Sequence, residues 1–191
     1  MDRELFMIIH AIAIAVLLQM NNVARAPEAE LERAQREVIC LYHKIGVDVA
    51  WTAPDAPRPT PSPAIRVVLV PYEAGAMLRR EKTVMGAAVL TELGTSVAYV
   101  FYRQVETQAR QYGVSLAMIL ASAIAHEAGH LLLPDGRHSP DGLMRACWTR
   151  SDFQRAGQGQ LLFSIEQAAL IRARTALQPL VEDERRNRAG Q

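Results

Sequence analysis

A chain of 191 residues, half of them hydrophobic and 21% charged, has the length of one compact domain and ample apolar material for its core. Lys and Arg total 21 against 20 Asp and Glu, and the resulting net charge of +1 excludes an electrostatic nucleic-acid binder and a highly charged disordered chain. Two cysteines exclude a disulfide-dense scaffold and a zinc site made of thiolates alone.

Residues 5–18 read LFMIIHAIAIAVLL, broken only by His10. The run is short for a bilayer span, which takes about 20 apolar residues, and has the length of a signal-peptide core. Ala24-Arg25-Ala26 supplies the small-x-small pattern of a cleavage site, although Arg3 between Asp2 and Glu4 makes a weak positive start. Residues 1–26 are therefore expected to be a signal peptide, giving a periplasmic or secreted product. The alternative is an uncleaved membrane anchor, with residues 5–20 as the only membrane contact. In an oxidising compartment Cys40 and Cys147 could pair; two buried thiols are the other reading.

The folded domain is expected over 27–180. PEAELERAQREVICLYHKIG, from Pro27, is an amphipathic helix with Leu31, Ala34, Val38, Leu41, Tyr42 and Ile45 on one face. Gly46 ends it, and His43 near its end suits the helix dipole. Val47–Trp51 alternates like a short strand. Pro54, Pro57, Pro59, Pro61 and Pro63 then impose an extended loop. Ile65–Val70 is a β-branched strand, and Val84–Leu90 and Ser96–Tyr102 are two more, joined by a turn at Gly94. Val114–Leu133 is apolar nearly all round and predicts a buried central helix, with Ser115 as its cap and Pro134 as its stop. A turn-rich stretch runs to Gly159, Ser164–Leu177 forms a last amphipathic helix, and 181–191 is a charged tail. The expected fold is α+β: a twisted mixed sheet of four or five strands packed on the N-terminal and central helices, with a C-terminal helix.

The central helix carries His126-Glu127-Ala128-Gly129-His130. Positions i and i+4 share a helix face, so both imidazoles can reach one metal ion, with Glu127 beside them as a general base. With 5 histidines in the chain, the chance expectation for this pattern is on the order of 0.01. Two histidines and a glutamate on a buried helix would each cost several kcal/mol if unpaired, about what coordination relieves. A catalytic zinc needs a third protein ligand and an open position. Pro134-Asp135-Gly136 can reverse the chain and bring His138 back under the helix end, and His138 is preferred as third ligand because Glu166 lacks any accompanying acidic or asparagine pattern. Glu166, on the following helix, is the rival.

HEAGHLLLPDGRHSPDGLMR resembles the active site of the metzincin zinc endopeptidases, which carry HExxHxxGxxH followed by a methionine turn. His126, Glu127 and His130 match outright, His138-Ser139 resembles the third ligand with its frequent serine, and Gly142-Leu143-Met144 resembles the Met-turn. The likeness covers roughly 120–148 and is architectural elsewhere. Leu133 stands at the family's turn glycine and Gly136 at its usual third-ligand position, which implies a turn lengthened by two residues. The resemblance implies Zn2+ held by His126, His130 and His138, and Glu127 as the catalytic base in peptide hydrolysis. It also implies an extended peptide or protein substrate lying along a sheet edge, either 84–90 or 96–102. Met144 is expected to pack beneath the metal, and Asp135 and Asp141 are candidate partners for histidine N–H groups, with turn formation the stronger role for each. Two other readings compete: a non-catalytic module stabilised by zinc, which would have no use for Glu127, and a membrane-tethered interaction protein.

Overall fold

In a computed structural model, residues 16–53, 63–71, 84–92 and 94–176 are described. The elements are β1 (Val16–Asn22), α1 (Glu28–His43), β2 (Val49–Thr52), β3 (Ala64–Val70), β4 (Gly86–Leu90), β5 (Ser96–Phe101), α2 (Tyr102–Tyr112), α3 (Leu116–Leu132) and α4 (Arg150–Gly157), followed by α5 at 165–176. The fold is α+β, and its five strands form one mixed sheet in the order β2-β1-β3-β5-β4. All neighbours run parallel except β4, which is antiparallel to β5 and forms one edge.

The chain's first described strand is also its main departure from expectation. Val16–Asn22, which falls within the stretch expected to be a signal peptide or anchor, is a strand paired on both sides, to β2 and to β3. Val16, Leu17, Leu18 and Gln19 are all buried, which suits a strand flanked by parallel neighbours and the three consecutive apolar residues that open it. The link to α1 is equally built in: the Asn22 side chain donates to the Ala26 carbonyl and accepts from the Ala26 N–H, both at 2.9 Å. Cleavage behind Ala26 would remove an inner strand of this sheet. The first part of the apolar run, the proline-rich loop at 54–62 and the tail at 181–191 lie outside the described residues. Among the described residues no helix is long and apolar enough to cross a membrane.

β3 alternates in burial, with Ile65, Val67 and Leu69 turned inward. Register places Leu18 beside Ile65, Val67 beside Ala98, and Leu69 beside Val100, a continuous apolar face. Against it lie α1 and α3, which also pack on one another. Tyr42 of α1 is fully buried between them, its hydroxyl donating to the Ala125 carbonyl at 3.2 Å and its ring 5.5 Å from Phe163. Burial raises the Tyr42 phenol far above its ordinary value, so it stays a donor. α3 is thus fixed from both sides just before its histidines begin.

Two helices fall where strand or turn was expected. Tyr102 opens α2 rather than ending β5, with Tyr102, Val105 and Ala109 buried at helical spacing. Within the turn-rich stretch, Thr149 and Asp152 form a reciprocal capping box that starts α4. Ser115 does stand at the N-cap of α3, but its side chain makes no capping bond. Cys40 and Cys147 are free and exposed, so they neither pair nor sit in the core. His43 is an exposed surface residue 3.7 Å from Asp48.

Candidate metal centre

The second half of α3, the turn behind it and the loop at 139–148 build one site. His126 and His130 lie one helical turn apart, and their Nε2 atoms approach to 3.1 Å. His138 closes the triangle: its ring centroid is 5.3 Å from that of His126 and 4.7 Å from that of His130. One ligand nitrogen from each of the three falls within 4.8 Å of the others. The structure therefore gathers the three histidines that spacing singled out. Glu166 is not among them. It is exposed at the start of α5, where the Ser164 hydroxyl donates to it at 2.8 Å and holds its carboxyl below the usual range.

The long turn works because of one glycine. Gly136 adopts a φ of +58°, and a Cβ there would sit 2.9 Å from the His130 carbonyl oxygen, so both conformation and space demand glycine. The same close return lets the Gly136 carbonyl accept a hydrogen bond from His130 Nδ1 at 2.6 Å. The Leu143 carbonyl does this for His126 Nδ1 at 2.7 Å, and also accepts from Trp148 Nε1 at 3.1 Å. Backbone carbonyls, not Asp135 or Asp141, thus orient both rings. Asp135 accepts from the Arg137 N–H, and the Asp141 carbonyl accepts from the Ser139 hydroxyl, which are turn contacts.

This pattern tests the fit to a cation. A carbonyl can only accept, so each Nδ1 carries the proton and each neutral ring turns its Nε2 lone pair toward the other. Lone pairs facing at 3.1 Å repel, and a cation between them removes the conflict. Two nitrogens bound tetrahedrally to zinc at about 2.0–2.1 Å would stand roughly 3.3 Å apart, close to the separation found. Burial pushes the His126 imidazole down to about 4; the bond to Leu143 opposes this, and the neighbouring His130 and His138 add to it. At neutral pH His126 is therefore in the form that ligates.

Met144 is fully buried beneath the site. A Cβ on Gly129 would lie 2.6 Å from Met144 Sδ and 2.8 Å from Phe163 Cε1, so this glycine lets the loop and the aromatic ring press against the helix. The loop is pinned by Leu143 N–H to the Leu162 carbonyl at 2.8 Å and by Ser139 N–H to the Met144 carbonyl at 2.9 Å. Position 143 is thereby fixed, and with it the His126 ring.

Glu127 lines the same cleft of about 480 Å³ as His126, His130 and His138. It is buried, and a Cβ on Gly86 of β4 would fall 2.6 Å from both its Cγ and its Oε1. The wall opposite the histidines is thus β4, the edge strand; β5, the other candidate edge, is paired on both sides. Sequence reading passed over Gly86 and Trp148, whose roles arise from pairings far along the chain. The Thr149-x-x-Asp152 spacing was a readable signal for α4, which carries Phe153 to the cleft. Comparison of the sequence with protein-family models and with curated proteins found no match.

Proposed function

We propose that this chain is a zinc-dependent peptidase, the activity of the metzincin-like motif it carries. One observation supports the reading above all: three imidazoles converge while Glu127 lines the same cleft with β4, which is an edge of the sheet among the described residues. When bound, zinc would supply Lewis acidity, lowering the pKa of water toward about 7 and polarising a carbonyl. His126, His130 and His138 would hold it, their outer nitrogens set by the Gly136 and Leu143 carbonyls for the first two. Glu127 takes the proton from the attacking water and returns it to the departing amine. β4 offers its free edge to an extended peptide, which fixes the scissile bond in the cleft.

The test is zinc content and peptide hydrolysis for the full chain and two variants. Glu127→Gln should keep its zinc and lose about 10²–10⁴-fold in turnover, the usual weight of a general base. His138→Ala should lose most of its zinc. A wild-type protein that binds no zinc, or a His138→Ala variant that binds and cleaves normally, overturns the proposal.

A further inference from the structure

The cleft extends beyond what hydrolysis requires. One turn of α3 before Glu127 it is lined by Ala123, by Gln108 and Tyr112 of α2, and by Trp148 and Phe153. The walls there are aromatic: Tyr112 stacks on Phe153 with centroids 4.2 Å apart, and Trp148 meets Phe153 edge-on at 5.6 Å. Ala123 contributes only a methyl group where α3 faces the cavity. Arg145, the cation on this wall, is already held by Asp152 at 2.8 Å.

Gln108 is the anomaly. It is only 6% exposed as a residue and lines the cleft, yet its amide atoms are not among the buried, partnerless ones, so they open onto the cavity itself. A polar group placed there among aromatic walls is satisfied by whatever fills the cavity, water or the polar group of a ligand. An amide both donates and accepts and carries no charge. The complement is a flat, uncharged group that also donates and accepts. Among peptide side chains the tyrosine phenol meets all three conditions, with a ring for the aromatic walls and a hydroxyl for the amide. A phenylalanine would fill the walls but leave the amide unsatisfied, which is how a polar pocket rejects an apolar analogue.

We propose that Gln108 is a specificity residue that selects peptides with a tyrosine next to the scissile bond, its amide hydrogen-bonding the phenol. The proposal rests on the reading of the cleft as a peptide-hydrolysing centre. The zinc-loaded full chain is assayed on paired peptides that differ only as tyrosine or phenylalanine at that position. The tyrosine peptide should lead in kcat/KM by tenfold or more. Gln108→Leu, of nearly equal volume, should erase that lead by slowing the tyrosine peptide alone, with a Tm at or above wild type. A second arm needs no metal: wild-type protein is titrated by NMR with N-acetyl-tyrosinamide and N-acetyl-phenylalaninamide. The Gln108 side-chain NH2 signals should shift with the tyrosine compound and far less with the other. If this titration discriminates while no peptide is cleaved, the hydrolase reading falls and the pocket assignment stands. Cleavage with equal rates for both peptides, a lead that survives in Gln108→Leu, or equal shifts with both amides overturns the proposal.

Discussion

Gly86→Ala tests the proposed role of the Glu127 carboxylate apart from that of the histidine triad with one methyl group. The new Cβ would lie 2.6 Å from the Tyr99 carbonyl oxygen in β5 and 2.6 Å from both Cγ and Oε1 of Glu127. Ordinary contact begins near 3.4 Å, so roughly 0.8 Å of overlap must be relieved. The Tyr99 oxygen belongs to the backbone of the sheet and yields little. Glu127 is the softer partner and is expected to rotate away. Overpacking of this kind costs about 1–3 kcal/mol, while replacing a strand glycine returns about 0.5–1. The net loss is about 1 kcal/mol, a Tm decrease of a few degrees for a domain of this size. Activity should suffer far more, because a displacement near 1 Å at a reacting group costs about 10²-fold. The three atoms nearest the new methyl group belong to Glu127 and Tyr99 and not to a histidine, so zinc stoichiometry should stay at the wild-type value. Thermal unfolding, metal analysis and peptide hydrolysis on one preparation give all three numbers. Wild-type turnover in Gly86→Ala would refute the placement of Glu127 against β4, and loss of zinc would refute the independence of the two halves of the site.

Two further outcomes concern stability. Asp152 is buried; burial alone would raise its pKa, but the Thr149 backbone and hydroxyl and the Arg145 guanidinium prevail and hold it below the usual value. Its contribution is therefore fully present above the ordinary carboxylate range and fades as pH falls through the depressed value; Asp152→Ala should cost about 2–3 kcal/mol by urea unfolding at neutral pH and little in strong acid, and an equal cost at both would count against the ion pair. For the zinc-free protein, His126 titrates near 4 when folded against an ordinary 6.5, so the unfolded chain binds more protons between these values. Stability should be full above about 6.5 and fall by up to about 3 kcal/mol on the way to pH 4; a profile that is flat there, or equally steep in His126→Phe, would contradict the assigned burial.

Much of the metal centre was legible in the chain. The i, i+4 histidines, the apolar helix around them, the reversing Pro-Asp-Gly and the Gly-Leu-Met segment are all local patterns, and local geometry settles how they are placed. The turn that brings His138 to His126 and His130 was readable too, as a Pro-Asp-Gly signal. The orienting groups were not legible, because they are carbonyls, and every residue has one; only the path of the loop decides that those of Gly136 and Leu143 meet the rings.

The sequence by itself determined the character of the elements: periodicity of 3.6 marks α1, a long apolar run between Ser115 and Pro134 marks α3, and a β-branched run marks β3. It could not assign the apolar stretch that includes Val16–Asn22, since a signal core and a strand buried on both faces share one composition. Pairing with β2 and β3 decided that, as pairing order decided that β4 and not β5 is the free edge. Burial of Gln108 in a cavity wall was likewise invisible, because it depends on α2 meeting α3 across the cleft. Short-range rules act between neighbours in the chain, whereas edges and pockets exist only after distant segments have been brought into contact.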